Sequence, residues 1–187
     1  MVVLHRLTPA MDGARRAVLL PGRGYTAQAP LLSWSGLLLT EERWDVYAVE
    51  WTDAAAEDPA VFLHGAWAEV TAVLDGVPDL VVAKSLGTFA APLAIAAGIP
   101  GIWLTPLVRH DVVADALCAA SEDHLVVAGT ADAAWRRDLI AGTRAAVTEI
   151  ADADHGLLIP GDWRASYAAH QAVFGRISAH VAALPPT

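Results

Sequence analysis

The sequence predicts an α/β domain in three layers, a mostly parallel sheet between two layers of helices. Two observations carry the prediction. Short runs of Val, Leu, Ile and Ala recur along all 187 residues, and stretches with helical spacing lie between most of them. The runs are apolar throughout instead of alternating with polar residues, as expected of parallel strands covered on both faces. Such alternation implies a sheet whose ligands bind beyond the carboxyl ends of its strands.

Six strands are predicted in chain order. They are Val18-Leu19-Leu20, Val46-Tyr47-Ala48-Val49, Leu80-Val81-Val82-Ala83, Ile102-Trp103-Leu104, Leu125-Val126-Val127-Ala128 and Ala146-Val147-Thr148-Glu149-Ile150. Before the third strand, Asp58 is placed to cap a helix with Pro59 at its first position. Phe62, Ala66, Val70, Val73 and Leu74 supply one apolar face of that helix, and Gly76 follows its last turn. A helix over Leu86 to Ala97 follows the third strand, with Pro92 predicted to remove a hydrogen bond and kink it. Another falls near Val112 to Leu117. The final helix starts after Asp162, carries Trp163, Tyr167, Phe174, Ile177, Val181 and Leu184 on one stripe, and stops at Pro185. A chain of this length fits one domain, and residues 1–187 are read as such.

Composition narrows the function classes. The formal net charge is −9, and the 12 Lys and Arg form no run longer than Arg15-Arg16 or Arg136-Arg137, so no basic footprint for nucleic acid is present. The single cysteine, Cys118, excludes an intrachain disulfide, and no segment resembles a secretory leader, which makes the cytoplasm the expected location. Ser85 to Val108 carries no charged side chain and is long enough for a membrane span. Pro92, Gly98, Pro100, Gly101 and Pro106 break it up, however, so a buried helix–strand pair is expected and no membrane partner.

Three loops at strand ends carry the chemistry. In Ala83-Lys84-Ser85-Leu86-Gly87 a serine follows an apolar strand and precedes a helix, with small residues two before and two after it. A tight strand-to-helix turn around a nucleophilic serine requires such small neighbours, because they approach each other closely. A hydroxyl needs an adjacent base, and the base needs a group that fixes its tautomer. His155, in the polar turn after the last strand and before Gly156, is the predicted base; His64, His170 and His180 lie within helical patterns and read as surface residues. Asp132, just past the fifth strand, reads either as the orienting acid or as a helix N-cap before Ala133-Ala134-Trp135. Asp152 and Asp154 adjoin His155 too closely in sequence to orient it comfortably and read as turn residues. The chain order Ser85, Asp132, His155 is that of α/β-hydrolase triads. An oxyanion would be held by the backbone N–H of Leu86 and by a second from the Pro21-Gly22-Arg23-Gly24-Tyr25 loop, Arg23 or Gly24. Gly24, Tyr25, Gly156 and Leu157 are expected to border the substrate. Arg109 and His110 read equally as a pair that holds a substrate carboxylate and as a solvated helix start.

Together, Leu20-Pro21-Gly22-Arg23-Gly24-Tyr25, the Lys84-Ser85-Leu86-Gly87 turn, Gly129-Thr130-Ala131-Asp132 and Asp154-His155-Gly156 resemble a small, lidless bacterial α/β-hydrolase with a dienelactone-hydrolase-like layout. The resemblance runs from about Val18 to the C-terminus. It implies an α/β-hydrolase fold without a cap domain and hydrolysis of a small-molecule ester or thioester, with neither metal nor organic cofactor. Two departures stand out: Ala83 replaces the usual first glycine of the turn, and Pro21 stands where many relatives have a histidine. Only about twenty residues separate Leu104 from Leu125, room for one helix and no cap, so the site is expected to be open.

Two rival readings remain. The fold also hosts acyl transferases, cyclases, lyases and non-catalytic binding proteins, and fold alone does not choose among them. Gly22-x-Gly24-x-x-Ala27, with Glu50 ending the next strand, mimics a dinucleotide-binding fingerprint, but Pro30 falls where its helix should already be running. Trp34, Trp51 and Trp103 lie near element ends that should border the site; most tryptophans in a small domain are core.

Overall fold

A computed structural model describes residues 2–9, 13–51 and 58–185 of the chain. Seven strands form one sheet: β1 (Val2–Arg6), β2 (Arg16–Leu20), β3 (Asp45–Trp51), β4 (Leu80–Lys84), β5 (Gly101–Leu104), β6 (His124–Gly129) and β7 (Ala146–Ile150), in the order β1-β3-β2-β4-β5-β6-β7. Only β1 runs antiparallel to its neighbour; β2 to β7 are parallel throughout. The central strands β4, β5 and β6 are buried along their whole length, which explains their unbroken apolar sequences. Helices α1 (Pro30–Glu41) and α5 (Trp163–Ala183) cover one face through Leu31, Leu32, Leu39, Val173, Ile177 and Val181. On the other lie α2 (Pro59–Leu74), α3 (Ala91–Ala96) and α4 (Asp111–Cys118), with Phe62, Val70, Ala91, Ala94, Val113 and Leu117 in its core. This is the expected three-layer arrangement with a mostly parallel sheet.

β1 escaped the sequence reading. It is an edge strand whose side chains are half-exposed or exposed, although Val2-Val3-Leu4 is an apolar run as long as Val18-Leu19-Leu20. Arg6 fastens it to β3, donating from Nε and a terminal nitrogen to both oxygens of the buried Asp45 at 2.8 and 2.5 Å. Three further expectations need correction. Val73 is exposed, and Leu63 takes the buried position on α2, because the helix turns its face slightly from the one drawn. At the start of α5, Trp163 and Tyr167 are exposed, and the buried stripe is Ser166, Ala169, Val173, Ile177 and Val181. The spacing puts the aromatics on one stripe, but the face that packs on the sheet begins with the small residues Ser166 and Ala169. Pro92 kinks nothing. The segment after β4 begins as a 3₁₀ helix, Ser85–Ala90, and Pro92 falls in the first turn of α3, where its missing N–H leaves no intrahelical carbonyl without a partner. The uncharged stretch Ser85 to Val108 is therefore a helix, a turn and β5 in the core, and no helix of the described residues is long and apolar enough to cross a membrane.

The foot of the sheet holds a buried histidine. Trp103 Nε1–H donates to His124 Nδ1 at 3.3 Å, so that nitrogen must be unprotonated. Burial pulls the His124 imidazolium down to about 4, with the charge of Asp123 opposing only in part. The unfolded chain, with an ordinary histidine, takes up this proton first. Stability is therefore complete above the ordinary histidine range and is lost as pH falls toward 4. By linkage the protein should be about 2 kcal/mol less stable near pH 5 than near pH 7.5. Urea unfolding of wild type and His124→Leu at the two pH values checks this; an equally steep loss in the variant would assign it elsewhere.

Candidate active site

β4 ends at Lys84 and hands the chain directly to Ser85, which adopts a left-handed backbone with φ of 52°. That conformation is strained for a residue with a side chain, and it turns Ser85 sharply out of the strand. The turn is held by close contacts. A Cβ at Gly87 would strike the Leu20 carbonyl, and one at Gly22 would lie 3.1 Å from Ser85 Cβ. Ala83 is fully buried between β2 and β5, where it pairs with Leu20 and Trp103.

The second and third loops are laced to each other. Thr130 N–H donates to the Ile150 carbonyl, Ala131 N–H to the Ala153 carbonyl, and Asp152 N–H to Thr130 Oγ1. A Cβ on Gly129 would collide with the Ala153 carbonyl, so the two loops can approach only because residue 129 is glycine. Asp154 then closes the histidine turn, its carboxylate accepting from Gly156 N–H at 2.7 Å and Leu158 N–H at 3.0 Å. It is a turn residue, as read from the sequence.

This framework brings Ser85, His155 and Asp132 into one hydrogen-bonded chain. His155 Nδ1 lies 2.7 Å from Asp132 Oδ2, and His155 Nε2 lies 2.8 Å from Ser85 Oγ. The other Asp132 oxygen accepts from Ala134 N–H at 2.8 Å. No helix begins directly after Asp132, so the N-cap reading is corrected: one oxygen closes a turn at Ala134, and the other meets the imidazole. Burial alone would raise its pKa, but the hydrogen bonds from His155 and Ala134, with the nearby ammonium of Lys84, hold the carboxyl below the usual range. An ionised Asp132 accepts, so His155 Nδ1 carries the ring proton and Nε2 is free to take one from Ser85.

A cavity of about 400 Å³ is lined by residues 21–28, Val49, Glu50 and Trp51; Ser85, Asp132 and His155 are not among its walls, and Gly22, whose Cβ position lies 3.1 Å from Ser85 Cβ, links it to the serine. Arg23, Gly24 and Tyr25 are among its walls. The loop folds back on itself, Gly22 N–H donating to the Tyr25 carbonyl, while Tyr25 Oη accepts from Leu31 N–H. Burial raises the Tyr25 phenol above its ordinary pKa, so it stays protonated. Residues 21–29 separate β2 from α1, too long a connection for the tight strand-to-helix turn of a dinucleotide fingerprint. Glu50 instead pairs with His5 at 3.0 Å.

Other expected residues lie elsewhere. Leu157 is fully buried in the core beneath α5, so its side chain does not border a substrate: its left-handed backbone, φ 57°, turns it inward. Arg109 donates to the Ala133 carbonyl beside Asp132, and the His110 ring packs edge-on against Phe89 at 5.0 Å; neither lines the cavity. Of the three tryptophans, Trp51 lines the cavity, Trp103 is buried against His124, and Trp34 is exposed beside Phe174. Among the described residues no group of three or more His, Cys, Asp or Glu is placed to hold a metal ion.

No family model and no curated protein matches the sequence. Solved structures do match. An α/β serine hydrolase homologue from Coxiella burnetii superposes with a TM-score of 0.69 at 16% identity, over 96% of this chain and 90% of that one. A lidless α/β serine hydrolase from Xanthomonas campestris gives 0.67 at 16% identity, over 100% and 90%. Dienelactone hydrolase from Anabaena variabilis gives 0.61 at 18% identity, over 92% and 88%. The chain has the lidless α/β-hydrolase fold. In this α/β-hydrolase fold the three loops described above all lie at carboxyl ends of strands, the ends at which such sheets bind ligands.

Sequence reading missed two side chains near Ser85 and His155. Lys84 is buried directly before Ser85, and His170, read as a surface residue, is half-buried on α5 with Nε2 3.2 Å from the Gly156 carbonyl. Burial lowers the Lys84 ammonium to about 8, while Asp132 and Asp154 favour its charged form. A lysine at the end of an otherwise apolar strand was the available signal.

Proposed function

We propose that the protein is a serine hydrolase that cleaves an ester or thioester of a small acyl group. One observation carries the reading: the continuous Ser85–His155–Asp132 hydrogen-bonded chain on the lidless α/β-hydrolase fold. The serine hydrolases and the dienelactone hydrolase that share the fold support it.

In this mechanism Ser85 Oγ attacks the carbonyl carbon while His155 Nε2 accepts the hydroxyl proton. Asp132 keeps Nδ1–H directed away from the serine and stabilises the imidazolium that forms. The developing oxyanion is held by backbone N–H groups of Leu86 and Arg23. As the second residue of a 3₁₀ helix, Leu86 has no intrahelical acceptor, and the Gly22–Tyr25 hydrogen bond does not use the Arg23 N–H. His155 then returns its proton to the leaving alcohol or thiol, giving an acyl-serine. Water deprotonated by His155 attacks that acyl-serine, releasing the acid and restoring Ser85. The cavity between Tyr25 and Trp51 receives one part of the substrate.

A fluorophosphonate probe tests the reading without knowledge of the natural substrate. Labelling should occur, and peptide mass spectrometry should place it on Ser85; an unlabelled folded protein would overturn the proposal. Chain-length preference is a further expected outcome. Among the described residues β5 and β6 are joined through α4 alone, with no cap inserted between them. Hydrolysis of p-nitrophenyl acetate and butyrate should exceed that of long-chain esters, and the opposite ranking would contradict an open site.

A further inference from the structure

Lys84 is an expensive residue to place where it is. Its side chain is buried, and none of the ion pairs among the described residues includes it. A buried cation without a direct counter-charge is costly, and an apolar side chain of the same length would avoid that cost. The ammonium instead has a specific set of contacts. Nζ donates to Thr105 Oγ1 at 3.1 Å and to the His155 carbonyl at 3.1 Å, and it stands 4.7 Å from the centre of the Tyr25 ring. Thr105 meets it from a left-handed backbone, φ 44°, that a β-branched residue rarely adopts.

The bond to His155 has a particular topology. Most of the hydrogen bonds that hold the histidine turn come from the turn itself, from the loop after β6 and from α5: Ala131 to Ala153, Gly156 and Leu158 to Asp154, His170 to Gly156. Among the described residues, only two bonds join this turn to β4 and the serine that follows it. One is the reactive pair, His155 Nε2 with Ser85 Oγ, and the other is Lys84 Nζ to the His155 carbonyl. Lys84 and Ser85 are consecutive, and so the two bonds close a small ring through the His155 residue, main chain on one side and imidazole on the other.

We propose that Lys84 is a positioning residue, which fixes the His155 main chain relative to Ser85 and so holds the imidazole at proton-transfer distance from the hydroxyl. It acts through His155 and does not touch the reacting atoms. The inference rests on the hydrolase reading above. Misplacing a catalytic group by about an ångström costs on the order of 10²-fold in rate, and this is the size of effect expected here.

The test uses Lys84→Met and Lys84→Leu, which delete the donor but keep apolar bulk, and Lys84→Arg, which keeps a cationic donor. With p-nitrophenyl acetate, the donor-less variants should show kcat about 10²-fold lower with KM changed less than about threefold. Fluorophosphonate labelling of Ser85 should slow in parallel. Melting temperatures should move little, because removing a buried charge offsets the lost hydrogen bonds. Lys84→Arg should recover at least about tenfold of the lost kcat. A folded Met or Leu variant with wild-type kcat and labelling rate overturns the proposal, as does an Arg variant no faster than the Met variant. Wild-type protein that the probe fails to label would instead overturn the hydrolase reading itself, so the two failures are distinguishable.

Discussion

Replacing Ser85 by alanine should abolish fluorophosphonate labelling and reduce ester hydrolysis by about 10⁶-fold, as loss of a triad serine does elsewhere. The residual rate would come from binding and oxyanion contacts, which the substitution leaves in place. The fold should survive. Alanine keeps the Cβ that Gly22 packs against, and it bears the left-handed backbone at residue 85 no worse than serine does. The lost hydroxyl leaves His155 Nε2 without its donor, but the imidazole is 40% exposed and water can replace it. Circular dichroism and thermal melts of the variant therefore serve as the control. A well-folded Ser85→Ala protein that hydrolyses p-nitrophenyl acetate at the wild-type rate would remove Ser85 from the mechanism.

Much of this was legible in the chain because parallel strands and strand-end loops leave local marks. Val81, Val82 and Ala83 are apolar because both sheet faces are covered there, and Gly87 is small because the Leu20 carbonyl occupies its Cβ position. Each of these constraints acts within a few residues and is written at the site that feels it. What stayed hidden depends on neighbours distant in sequence. β1 is held by an antiparallel ladder to β3 and by the Arg6–Asp45 pair, and nothing in Val2–Arg6 names either partner. Trp163 and Tyr167 fit a helical stripe by spacing, yet the face of α5 that meets the sheet is fixed by small residues such as Ser166 and Ala169. The inward turn of Leu157 follows from a backbone dihedral that spacing does not encode. Lys84 reads as one charged residue between a strand and a serine, and only the fold brings the His155 carbonyl to its ammonium.

The second large effect concerns Asp132, which closes a turn with one oxygen and faces His155 with the other. Asp132→Asn should leave the turn intact, because the amide oxygen can still accept from Ala134 N–H, and asparagine caps such positions about as well as aspartate. The catalytic consequence is different. An asparagine amide in place of Oδ2 can present its own N–H to His155 Nδ1, which favours the tautomer with the proton on Nε2. Nε2–H then faces Ser85 Oγ and cannot accept its proton, and the charge that would stabilise the imidazolium is gone. In triads this substitution lowers kcat by about 10⁴-fold, and the same is expected here. Because Asn separates hydrogen bonding at the turn from charge at the histidine, stability and rate should part: an unchanged melting temperature with kcat lower by orders of magnitude. Near wild-type kcat in a folded Asp132→Asn protein would reduce Asp132 to a turn residue and transfer the orienting role to another carboxylate, with Asp154 and Asp111 the next to be substituted.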